Sequence, residues 1–150
     1  MISVLLVDDH ELVRTGIEAL LNTAEDIVVV GVAKSGEEAI EAMNKLTTDV
    51  VLMDVNMPGI GGQEACRRIL QQNPTVKIIA VSVHNDGPIP QQLLRLGVLG
   101  FISKGSPVDE MIKAIRKVIA GERYLCSEVA NNLAFQSLPG ANESPFTKLS

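Results

Sequence analysis

Short apolar blocks of strand length alternate with helical patterns along most of this chain, and that alternation limits the fold more than any other feature. Residues 2–7 form an apolar run that stops at Asp8 and Asp9. Residues 11–22 follow, with Val13, Ile17, Leu20 and Leu21 on one helical stripe. Residues 27–33 are β-branched and apolar, a second strand. Ser35 and Glu38 make a capping box for a helix that buries Ala39, Ile40, Met43 and Leu46. Residues 49–53 are a third strand, ending at Asp54. Gly59, Gly61 and Gly62 mark a loop, and 63–72 is helical, with Ala65, Ile69 and Leu70 apolar. Residues 76–81 are a fourth strand. Pro88 and Pro90 shorten the next helix to about 91–96, and 99–102 is a brief fifth strand. Ser106 caps a last helix with Pro107 at its first position, where a missing N–H costs nothing. Met111, Ile112, Ile115, Val118 and Ile119 form its stripe, and Gly121 stops it.

This alternation predicts an α/β fold: a doubly wound, five-stranded parallel sheet with helices on both faces. Strands that stay apolar throughout agree, because parallel strands are covered on both sides. The flavodoxin-like strand order 2-1-3-4-5 suits such a pattern. Residues 1–121 read as one domain. Residues 122–150 read as a linker carrying one short helix over 127–135, with Ser, Pro, Gly and Asn dominating after Ser137.

At 46% hydrophobic and 21% charged, the chain can bury a core and is unlike a disordered segment. Its net charge of −5 argues against DNA binding by this stretch itself. Cys66 and Cys126 have neither metal-binding nor C-x-x-C spacing, which suits reduced thiols in the cytoplasm. The apolar run before Asp8 is too short for a signal peptide or a membrane span.

In doubly wound sheets, ligands sit at the carboxyl ends of the strands. That rule gathers Asp8 and Asp9 after strand one, Asp54 after strand three, Ser82 after strand four and Lys104 after strand five. Converging carboxylates repel unless something neutralises them, and Mg²⁺ suits such oxygen ligands. The site can make Asp54 a nucleophile toward phosphorus. Lys104 could offset charge on the transferred group, and the Ser82 hydroxyl could donate to it. Singly, each residue has a plainer reading: Asp-Asp as an exposed turn and helix cap, Asp54 as a loop residue. The joint occurrence at four strand ends favours function.

These residues resemble the receiver domain of two-component response regulators over about 1–121. The resemblance rests on V-D-D-H at 7–10, V-L-M-D-V-N-M-P-G-I-G-G at 51–62, A-V-S-V-H at 80–84 and G-F-I-S-K at 100–104. It implies a chain phosphorylated on Asp54 by a sensor histidine kinase. It also implies Mg²⁺ held by Asp8, Asp9, Asp54 and the backbone carbonyl of Asn56. Ser82 matches the switch hydroxyl, Phe101 the switch aromatic and Lys104 the family's lysine. The opening, the M-P-G-I-G-G run and the E-S-P-F-T-K-L-S end look like the NarL/FixJ class, GacA/UvrY type. Members of that class continue into a helix-turn-helix DNA-binding domain. This chain stops where that domain would begin, so it reads as the receiver and linker of a cytoplasmic transcription regulator.

Two positions depart from the family pattern or add to it. Gly105 follows Lys104, where many receivers have proline. His84, two positions after Ser82, is placed to affect the attacking water during dephosphorylation, although a solvated loop histidine is the plainer reading. Phe101 has a plainer reading too, as a static core aromatic, and both readings predict partial burial. A Mg²⁺-dependent aspartyl phosphatase of haloacid dehalogenase type is the enzyme alternative. It wants a carboxylate two residues after the nucleophile, where this chain has Asn56. The pattern therefore reads as a signalling switch that takes part in its own phosphoryl transfer, with no further enzymatic activity. A homodimer through the fourth and fifth helices, or through the helix at 127–135, fits equally.

Overall fold

The computed structural model describes residues 1–83 and 87–136. Six parallel strands form one sheet in the order β2-β1-β3-β4-β5-β6. The strands are β1 (Ile2–Val7), β2 (Ile27–Ala33), β3 (Val50–Asp54), β4 (Lys77–Ser82), β5 (Gly100–Ser103) and β6 (Tyr124–Leu125). The helices are α1 (Glu11–Leu21), α2 (Gly36–Lys45), α3 (Gly61–Gln72), α4 (Ile89–Leu96), α5 (Val108–Ile119) and α6 (Ser127–Gln136). The flavodoxin-like 2-1-3-4-5 core is as predicted. The added β6 is a correction: two residues are too few to carry a periodic signal, and their pairing comes from lying beside β5.

Two apolar layers account for the uninterrupted hydrophobicity of the strands. Leu5, Val7, Val51, Met53, Ile78 and Ala80 face one side, against α2, α3, α4 and α6. Val4, Leu6, Val50, Leu52, Ile79 and Val81 face the other, against α1 and α5. Alternate residues of a strand point to opposite faces, so neighbours in sequence serve different cores.

Local chemistry sets the helix starts. Ser35 Oγ accepts from the Glu38 N–H at 3.1 Å, as a capping box requires. The return bond runs from the Lys34 N–H to Glu38 Oε1 at 3.0 Å. At α5 the expected cap shifts by one residue. Pro107 is the N-cap, with extended ψ of 153°, and Ser106 lies outside the helix. α3 begins earlier than expected, because Gly61 and Gly62 lie in its first turn. α4 begins at Ile89, two residues before the proline-limited estimate, with Pro90 accommodated in its first turn. No peptide bond among the described residues is cis, and that includes Lys104-Gly105. No described helix is long and apolar enough to cross a membrane.

Candidate functional site

Register brings the carboxylates together. β1 pairs with β3 through Val7 and Met53, so Asp8 and Asp54 leave the sheet side by side. One ligand atom from each of Asp8, Asp9, His10 and Asp54 lies within 4.8 Å of the others. The Asp54 side chain is 1% exposed. Its Oδ1 accepts from the Asn56 N–H at 2.9 Å, and its Oδ2 from Lys104 Nζ at 2.8 Å. Asp8 Oδ1 accepts from the His10 N–H at 2.8 Å, while Asp8 Oδ2 lies 3.4 Å from Lys104 Nζ. The Asp8 carbonyl accepts from Arg14 Nη1 at 2.7 Å, which fastens the first turn of α1 to the end of β1.

Lys104 is held from both ends. Its backbone N–H donates to the Ser82 carbonyl at 2.8 Å, tying β5 to β4 at the site. Its ammonium lies between Asp54 and Asp8. Burial pushes the Lys104 pKa down, but its bond to Asp54 and the charges of Asp54 and Asp8 outweigh this and raise it above the ordinary value.

Asp9 is different. Its Oδ1 is buried and makes no hydrogen bond. His10 Nδ1 is 3.1 Å away, an electrostatic contact outside hydrogen-bonding geometry. The same ring nitrogen lies 3.2 Å from Lys104 Nζ and 3.3 Å from Asp8 Oδ1. It can donate to a carboxylate or accept from Lys104, but not both at once. A buried carboxylate oxygen without a donor, beside two further carboxylates, fits a hard divalent cation. These residues could hold a metal ion.

The other expected site residues fall around this centre. Ser82 is buried at the end of β4. Phe101 is 1% exposed, so the expected partial burial is corrected: the apolar cluster around it includes Cys126 and Val129, which no strand pattern announced. His84 lies outside the described residues. Asn56 does more than its backbone role implied, since its Oδ1 accepts from the Val83 N–H at 3.1 Å and joins two loops. His10 stood in the V-D-D-H motif, but its spacing alone gave it no role. A surface groove of about 620 Å³ between Ala24 and α5 lies away from the carboxylates, and its Arg116 is engaged by Asp26.

Residues 4–116 match the response regulator receiver domain family. The chain belongs to that family. Over its whole length this receiver is 50% identical to the response regulator GacA of Pseudomonas viridiflava, of which it spans 71%. It is 47% identical to the response regulator UvrY of Escherichia coli K12, of which it spans 69%. A LuxR-family response regulator from Aurantimonas sp. SI85-9A1 superposes with a TM-score of 0.84 at 31% identity, covering 89% of this chain and 96% of that one. The isolated REC domain of RcsB from Salmonella enterica serovar Typhimurium, solved with the phosphomimetic BeF3⁻, gives 0.79 at 26% identity, covering 87% and 96%. The receiver is thus of the GacA/UvrY type, and its relatives are signalling proteins of the response regulator class.

Proposed function

We propose that this receiver accepts a phosphoryl group on Asp54 from a sensor histidine kinase and so switches a transcription regulator. The observation that carries the reading is the Asp54 carboxylate at the end of β3, with one oxygen on Lys104 and two further carboxylates beside it. One Asp54 oxygen attacks phosphorus, forming an acyl phosphate as the phosphorus–nitrogen bond to the donor imidazole breaks. Lys104 leaves the carboxylate for the incoming phosphoryl oxygens. The Ser82 hydroxyl donates to one of them. Mg²⁺, held by Asp8, Asp9, Asp54 and the Asn56 carbonyl, would supply positive charge against those oxygens.

Phe101 then repacks with the end of β5, which alters the α4–β5–α5 surface. His84 is assigned a modulating role on the dephosphorylating water. The Asn56 side chain, engaged by Val83 and carrying no carboxylate, suits a switch better than an aspartyl phosphatase. The receiver therefore takes part in its own phosphoryl transfer and dephosphorylation without acting as a general phosphatase. The part of GacA and UvrY beyond this chain's reach leaves room for a helix-turn-helix domain, through which DNA would be bound. Residues 1–121 would be the switching unit and 122–150 the connection, in a cytoplasmic protein able to pair through α4 and α5.

A small phosphodonor such as acetyl phosphate with Mg²⁺ tests this by intact mass. The wild-type chain gains one phosphoryl group, and Asp54→Asn gains none. A gain that persists in Asp54→Asn rejects the assignment. Neither chain hydrolyses a generic phosphomonoester.

A further inference from the structure

α6 packs beside several of the parts that the proposed switch would move. The Ser103 hydroxyl, one residue before Lys104, donates to Glu128 Oε1 on α6. Asn132 Nδ2 of α6 donates to the carbonyl of Gly87, five residues after Ser82, at 3.2 Å. Val129 is 0% exposed and shares the apolar cluster of Phe101 and Leu93, with Leu133 packed against it. β6 anchors this unit independently: the Cys126 N–H donates to the Phe101 carbonyl at 3.0 Å.

The strand order gives the coupling a direction. Asp54 stands inboard on β3, whereas β6 lies outboard of β5 and leads directly into α6. A phosphoryl group placed between Asp54 and Lys104 separates a pair now 2.8 Å apart and displaces Lys104, with Ser103 beside it. Displacement of Ser103 works against its bond to Glu128, and so against α6 in its present seat.

Resting on the reading of Asp54 as phosphoacceptor, we infer that docking of α6 and phosphorylation oppose each other: α6 clamps the unphosphorylated arrangement, and phosphorylation loosens it. Glu128 and Asn132 are the positioning residues of this clamp. Linkage makes the effect reciprocal, so a loosened α6 strengthens binding at Asp54 by the same factor. The segment that leads out of the receiver thereby reports the state of the site.

Beryllium fluoride with Mg²⁺, a phosphoryl mimic, tests this on the whole chain. Amide hydrogen exchange over 127–136 speeds up about fivefold or more when the mimic saturates the site, a typical size for coupled sites. The double variant Glu128→Ala/Asn132→Ala binds the mimic tighter by a similar factor. Glu128→Gln, which keeps an acceptor for Ser103, binds it like the wild type. A merely structural role would lower the melting temperature of the double variant and leave its affinity for the mimic unchanged. Unchanged or slowed exchange over 127–136 overturns the inference, as does a double variant with wild-type affinity. In either case, phosphorylation of Asp54 by acetyl phosphate would still stand. Failure of the wild-type chain to bind the mimic or to take up phosphate overturns the acceptor reading and the inference with it.

Discussion

Gly62 shows how little space surrounds the end of β3. A Cβ at this position would lie 2.5 Å from Val55 Cα and 2.6 Å from the Asp54 carbonyl oxygen. Both obstacles are backbone, so no side chain can swing aside. At Gly61 the constraint is of another kind: the φ of 79° favours glycine, while the space beside it is open. Gly62→Ala must therefore push α3 away from the end of β3. The cost should be about 1–3 kcal/mol, the usual penalty for overpacking. Urea unfolding reads that loss, and phosphate uptake from acetyl phosphate should slow as Asp54 shifts. A variant as stable and as fast as wild type would show that α3 is not tightly seated on this strand.

Among the elements, β6 is the one that sequence patterning passed over. β1, β3 and β4 were legible because burial on both faces makes them largely apolar, whereas β2 is apolar although Val28 and Val32 are exposed; Asp8, Asp9, Asp54 and Lys104 were legible because they stand at strand ends. Tyr124 and Leu125 carry no such signal, since their strand exists only through pairing with Gly100 and Phe101. The depth of Phe101 was hidden for the same reason, because α6 supplies part of its cover. The bond from Val83 to the Asn56 side chain joins two loops 27 residues apart, beyond any local pattern. Gly61 and Gly62 read as loop because glycine disfavours helices, yet a positive φ favours it at Gly61 and close approach to β3 demands it at Gly62. β6 also offers its own measurement. Tyr124 Oη donates to Glu110 Oε2 at 2.8 Å, joining β6 to α5. Burial, and then this bond to Glu110, push the Tyr124 pKa up to about 12. The fold thus favours the neutral phenol. Its stabilisation is fully present below the ordinary value of 10.0 and is lost as pH rises toward about 12. Tyr124 is the only tyrosine and the chain has no tryptophan, so tyrosinate absorbance reports it alone. In the folded protein that absorbance should appear well above pH 10, and Glu110→Gln should bring it lower. Onset at the ordinary value would mean that β6 is not seated against α5.

The molecule as a whole is an apolar sandwich that concentrates its electrostatic conflict at one end of the sheet. Three carboxylates meet there, with a single ammonium and a histidine ring against them. Asp9 has a buried Oδ1 with no hydrogen-bond donor. Removing its charge should relieve repulsion on Asp8 and Asp54, so Asp9→Asn should melt at a higher temperature than wild type without metal. The wild type should recover stability from Mg²⁺, because a ligand that binds only the native state adds about 2.7 kcal/mol at a hundredfold excess over Kd. For a chain of this length that corresponds to a rise of roughly 5–10 °C, at about 2–4 °C per kcal/mol. Asp9→Asn should lose most of the rise. Thermal melts with and without MgCl₂, at constant ionic strength to hold screening fixed, separate the two effects. Equal Mg²⁺ shifts in both chains would remove Asp9 from the proposed metal site. A lower metal-free melting temperature for Asp9→Asn would show that His10 and Lys104 already satisfy the carboxylate, and that the site carries no electrostatic strain for a cation to relieve.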